Sequence, residues 1–96
     1  MNEIDGKFVK RQYNLSSGGT VEIEISFPEG ADMDWYCEYS IQWLGESVRS
    51  GKRPGIDPLD ALFNSVKIVA VDLNEKAEKN GVIITWDGNP DIGLSL

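Results

Sequence analysis

Thr20-Val21-Glu22-Ile23-Glu24-Ile25-Ser26-Phe27 is the stretch on which the fold turns. In an extended chain successive side chains point to opposite faces. Val21, Ile23, Ile25 and Phe27 therefore share one side, and Glu22, Glu24 and Ser26 share the other. This alternation predicts a strand with one face buried and one in water, the usual state of an antiparallel sheet.

Upstream, Ser16-Ser17-Gly18-Gly19 offers two glycines free to take positive φ and reads as a tight turn. Residues 8–15 before it read as a first strand, with Val9, Tyr13 and Leu15 opposite Phe8, Lys10 and Gln12. Downstream, Pro28-Glu29-Gly30-Ala31-Asp32 breaks the alternation and predicts a loop. Residues 35–44 form the third strand. Trp35, Cys37, Tyr39, Ile41 and Trp43 share its apolar side, opposite Tyr36, Glu38, Ser40 and Gln42. Short connections between the three predict a meander.

Residues 45–55 show no periodicity and read as a loop. Asp57-Pro58-Leu59-Asp60 then opens a helix. Asp57 can accept from free N–H groups of the first turn, Pro58 suits the first helical position, and Asp60 favours the positive dipole end. Leu59, Leu62, Phe63, Val66, Val69, Ala70, Leu73 and Ala77 recur at helical spacing, with Lys76 and Lys79 in the last turn and Asn80-Gly81 as a stop. The expected helix covers 58–79. Residues 82–86 are a short β-prone run, followed by an Asp87-Gly88-Asn89-Pro90 turn. The fold class is α+β, an antiparallel sheet in β-β-β-α-β order with one long helix across one face.

Ninety-six residues make one ordinary domain. Cys37 is the sole cysteine, so no intramolecular disulfide forms, and its place on the apolar side of a strand reads as a buried, inert thiol. The lack of histidine removes the commonest metal ligand and most Ser/His and Cys/His schemes. No Gly-x-x-x-x-Gly-Lys motif precedes the helix, and Asp32, Asp34 and Glu38 lack the spacing of a calcium loop. These features predict a non-enzymatic chain with no cofactor. The N-terminal residues lack the basic start and apolar run of a signal peptide, and no apolar run approaches a membrane span of about 20 residues. A cytoplasmic location is expected. Net charge is −7, which disfavours nucleic acid and favours a basic protein partner.

Three surfaces are candidates for that partner. Pairing Phe27 with Trp35 sets Ile25 opposite Cys37, Ile23 opposite Tyr39 and Glu24 opposite Glu38, while pairing Tyr13 with Val21 brings Lys10 to Glu24. The solvent face of the sheet then presents Glu22, Glu24, Tyr36, Glu38 and Gln42 as an acidic platform with one tyrosine. Its bland counterpart is an ordinary solvated face. Arg49, Lys52 and Arg53 cluster in the expected loop before the helix, where a small anion could bind; bases flanking glycine and serine are more often just a soluble loop. Ile68 with Val71 forms an apolar spot opposite the helical stripe, suited to a partner or a second copy, so a monomer or weak dimer is expected.

The strand Trp35-Tyr36-Cys37-Glu38-Tyr39-Ser40-Ile41, the helix entry Gly55-Ile56-Asp57 with Asp60-Ala61-Leu62, and the ending Trp86…Asp91-Ile92-Gly93-Leu94 resemble a family of short bacterial proteins of unknown function. Some of these are candidate immunity proteins encoded beside secreted toxins. The resemblance implies a dedicated binder that blocks a toxin, and it supplies no catalytic or binding residue. A small cytosolic adaptor or regulatory subunit is the alternative, with an Asp/Glu enzyme or small-anion binder behind it.

Overall fold

The computed structural model describes residues 3–5, 8–31 and 33–94. Among them are seven strands and one helix: β1 (Glu3–Asp5), β2 (Phe8–Leu15), β3 (Thr20–Ser26), β4 (Glu29–Ala31), β5 (Asp34–Trp43), β6 (Arg49–Gly55), α1 (Pro58–Asn80) and β7 (Ile84–Thr85). The class is α+β, as expected. All strands join one antiparallel sheet in which β3 lies between β2 and β5, β6 flanks β5, and β1 and β7 each pair with part of the far edge of β2.

The alternation in β3 is realised as read, with Val21, Ile23 and Ile25 buried and Glu22 and Glu24 only partly so. The β2–β3 register is also the expected one: Tyr13 faces Val21 and Lys10 faces Glu24. The β3–β5 register is not. Ile25 pairs with Tyr39, Ile23 with Ile41 and Val21 with Trp43, a slip of two residues from the expected pairing. A slip of two preserves which side chains face the core, so hydrophobic patterning cannot distinguish the two registers. The physical cause lies at Pro28. Between the Ile25–Tyr39 and Glu29–Tyr36 pairs, Ser26, Phe27 and Pro28 oppose only Cys37 and Glu38, which is a bulge. Proline has no N–H to donate to the ladder, and at the bulge the Glu38 N–H donates to a side chain, Ser26 Oγ, at 2.8 Å. Phe27 is displaced from the core and stands 49% exposed. After the bulge the chain pairs again as β4, where a loop was expected.

The second correction is β6. Residues 49–55 are a strand along the outer edge of β5, not a loop. Its positions on the helix side are Arg49, Gly51, Arg53 and Gly55. No apolar side chain marks them because the space is already filled. A Cβ on Gly51 would meet the Tyr39 hydroxyl at 2.6 Å, and one on Gly55 would meet Ala61 N at 2.2 Å.

The helix begins where its signals place it. Asp57 is extended and its carboxylate accepts from Asp60 N at 2.7 Å, while the Asp60 carboxylate accepts from Ile56 N at 3.0 Å. It ends at Gly81, in left-handed conformation at φ 65°, whose N–H reaches back to the Glu78 carbonyl. The buried row is Ala61, Ser65, Val69, Leu73 and Ala77, rotated from the expected stripe. Leu59 is 56% exposed and Phe63 40%. The rotation follows from position: α1 lies over β5 and β6 rather than over the middle of the sheet. Ser65 suits such a site because its hydroxyl donates to the Cys37 carbonyl at 2.8 Å.

The part of the face left by the helix, over β2, is crossed by the C-terminal segment. Tyr13 Oη donates to the Ile92 carbonyl at 2.7 Å, and Arg11 donates to the same carbonyl at 3.2 Å while stacking 3.9 Å from the Trp86 ring centroid. Ile92 and Leu94 pack on the core, and Leu94 lines the same hollow as Leu62 and Val66. One face of the sheet is thus covered. The opposite face carries no helix among the described residues.

Candidate functional site

That uncovered face is ordered by the register into rows of side chains crossing the strands. One row is Lys10, Glu24, Ser40 and Ser50; the next is Phe8, Ser26, Glu38 and Lys52. On one side of these lies Gln12-Glu22-Gln42, and on the other, beyond the bulge, Glu29-Tyr36-Pro54. Glu22, Glu24, Tyr36, Glu38 and Gln42, expected on this face, are all brought together here. Glu24 and Glu38 are not opposed, however. Glu24 faces Ser40, and Glu38 lies two residues along β5, so the expected like-charge clash does not exist.

Each of the two glutamates has its own cation. Lys10 Nζ lies 3.2 Å from Glu24 Oε1, and Lys52 Nζ lies 3.9 Å from Glu38 Oε1. The first pair is the better shielded, with side chains 18% and 29% exposed against 62% and 51% for the second. Exposed pairs contribute about 0–1 kcal/mol, so Glu38 is not firmly neutralised by Lys52. The described side chains of the face comprise four glutamates (22, 24, 29 and 38) against two lysines (10 and 52), and the face stays acidic.

Between Phe8 and Tyr36 the surface dips into a depression of about 280 Å³, floored by Ser26 and rimmed by Glu29, Glu38 and Lys52. Two aromatic rings beside carboxylates can bury apolar stems of basic side chains while satisfying their charge. Phe8 was readable from sequence as lying on the polar side of its strand. Lys52 was not, because residues 49–55 carry no strand pattern.

The other two candidate surfaces fare differently. Arg49, Lys52 and Arg53 do not converge. Alternation along β6 sends Lys52 to the open face and turns Arg49 toward the helix, where it lies 3.8 Å from Asp72; Arg53 is exposed on that same side. At the start of α1 the Asp60 N–H donates to the Asp57 carboxylate and the Ala61 N–H to the Asp57 carbonyl, so two of the N–H groups that the three bases were expected to flank are already engaged. Ile68 is half-buried rather than opposite the core-facing stripe, since the buried row is rotated toward it. Val71 is 47% exposed, and the two do not form an isolated spot.

Cys37 is buried, with its thiol donating to the Ser26 carbonyl at 3.0 Å, in keeping with a structural role. Among the described residues, no group of three or more Cys, Asp or Glu side chains is placed to hold a metal ion. Asp34 is exposed, and Asp32 lies outside the described residues. No described helix is long and apolar enough to cross a membrane.

A family model described as a domain of unknown function, DUF6968, matches residues 9–96. No curated protein and no solved structure matches the chain.

Proposed function

We propose that the chain, which belongs to the DUF6968 family, is a non-enzymatic protein-binding domain whose open sheet face docks on a basic partner. The specific reading is an immunity-type inhibitor that occludes a bacterial toxin. The observation that carries the docking reading is the asymmetry of the sheet. One face is covered by α1 and the C-terminal segment, while the other presents Glu29 and Glu38 at a depression between two half-buried aromatic rings, with Glu24 and then Glu22 further along the same face. Solvated sheet faces are commonly polar, but aromatic rings beside a weakly neutralised carboxylate are the composition of a surface that steers and then anchors a basic partner. The toxin-inhibitor reading draws on the resemblance to short bacterial proteins encoded beside secreted toxins, and on a net charge of −7.

The test is titration calorimetry of the purified domain against the product of its neighbouring gene. The expected result is a one-to-one complex that Glu24→Lys with Glu38→Lys weakens at least about a hundredfold, as loss of close interfacial charge pairs does. Unchanged affinity in the double variant, with an unchanged melting curve, would remove this face from consideration. A cytosolic adaptor serving a housekeeping partner is the second reading, and it uses the same acidic face. A neighbouring product that is not a secreted toxin but still binds there would favour it.

A further inference from the structure

We propose that Tyr36 and Glu38 form a subsite for an arginine side chain of the partner, and that Lys52 is its resident competitor. This rests on the reading of the open face as the docking surface. Tyr36 and Glu38 are two residues apart on β5, so their side chains stand next to each other on one face. Lys52, on the neighbouring strand, places its ammonium 6.0 Å from the Tyr36 ring centroid and 3.9 Å from Glu38 Oε1. Both distances sit at the outer limit of their interaction, and the Lys52 side chain is 62% exposed. The cation is held, but loosely.

The site is better matched to a guanidinium than to the ammonium it holds. A planar guanidinium can stack on the Tyr36 ring and give Glu38 two parallel N–H donors, which a point-like ammonium cannot do at once. The depression between Phe8 and Tyr36, about 280 Å³, lies directly beside the pair and takes the aliphatic stem. The bulge fixes the backbone from which the carboxylate springs, since the Glu38 N–H is anchored on Ser26 Oγ at 2.8 Å. The excess of glutamate over lysine on this face supplies the charge complementarity. Lys52 then acts as a placeholder: it keeps ring and carboxylate partly satisfied in the free protein and swings to solvent when an arginine enters.

Calorimetry with an oligo-arginine peptide and an oligo-lysine peptide of equal length tests this in the intact domain. Lys79→Gln on the helix serves as control for Lys52→Gln, because it makes the same change in net charge away from the face. Lys52→Gln is expected to tighten oligo-arginine binding about two- to fivefold beyond Lys79→Gln, the scale of an exposed cation–π contact. Tyr36→Leu and Glu38→Gln should each weaken binding and abolish the preference for arginine over lysine, while Tyr36→Phe retains it. Equal tightening by Lys52→Gln and Lys79→Gln, or no binding by Lys52→Gln, overturns the proposal. So does an unchanged preference in Glu38→Gln. If Glu22→Gln weakens binding while Tyr36→Leu and Glu38→Gln do not, the subsite fails and the docking face stands. If none of the three matters, the face fails with it.

Discussion

Gly55 shows at the scale of one residue how this fold closes. It is buried where β6 passes beneath the first turn of α1, and an added Cβ would lie 2.2 Å from Ala61 N and 2.6 Å from Ala61 Cα. Both neighbours are backbone, so strand and helix must separate to admit a methyl group. Gly55→Ala is expected to cost more than about 2 kcal/mol in chemical denaturation, as overpacking against a rigid neighbour does. Tyr13 is a second such position. Its ring is fully buried and its hydroxyl holds the C-terminal segment through the Ile92 carbonyl. Burial raises its pKa above 10.0, with the Arg11 hydrogen bond and charge acting in the opposite sense. Below the unfolded value both states hold the proton and the contribution is full; between the unfolded and folded values only the native state holds it, so stability falls as pH rises. Tyr13→Phe should therefore lose about 1 kcal/mol near neutrality. It should also lack the extra alkaline decline that is expected in thermal melts of the wild type above about pH 10.

The elements differ in how far the sequence announces them. β2, β3, β5 and α1 were legible to within a residue or so because alternation, capping and turn chemistry all agree there. β6 was illegible. Its residues Arg49 to Gly55 carry no inward apolar side chain, since Tyr39 and the backbone of α1 occupy that volume and only glycine leaves room. The phase of the helix was half legible: spacing names the apolar stripe, but the rotation depends on which strands it covers, and that waits on β6. The candidate site has the same history. Its glutamates and Tyr36 follow from alternation alone, while the pairing of Glu38 with Lys52 needed β6, and the separation of Glu38 from Glu24 needed the bulge at Pro28. The rotation makes a measurable difference. Val69→Ala should cost about 1–3 kcal/mol as truncation of a fully buried side chain, and Leu59→Ala, at 56% exposed, well under about 1 kcal/mol. The stripe expected from sequence contains both residues, so a cost for Leu59→Ala as large as that for Val69→Ala in urea denaturation would restore it.

For the molecule as a whole, charge and its placement are separable quantities. The net charge of −7 attracts any basic protein from a distance, but only carboxylates near the contact gain when the two surfaces meet. Glu24→Lys with Glu38→Lys and Glu75→Lys with Glu78→Lys both bring the chain from −7 to −3, since each replacement adds two charges. Glu75 and Glu78 are exposed toward the end of α1, away from the open face, and lysine there is favoured by the helix dipole. Neither pair of changes truncates the core. Each sheet-face glutamate does lose an ion pair with lysine, so a slightly lower melting temperature is expected there. Stopped-flow association with the neighbouring gene's product, repeated across ionic strength, then distinguishes placement from total charge. The helix pair should slow association modestly and leave dissociation alone. The sheet pair should slow association more, flatten its salt dependence and speed dissociation, because partner cations would face lysine where they now meet Glu24 and Glu38. Equal effects from the two variants would mean that the partner responds only to the overall field, and the open face would lose its claim to be the site of contact.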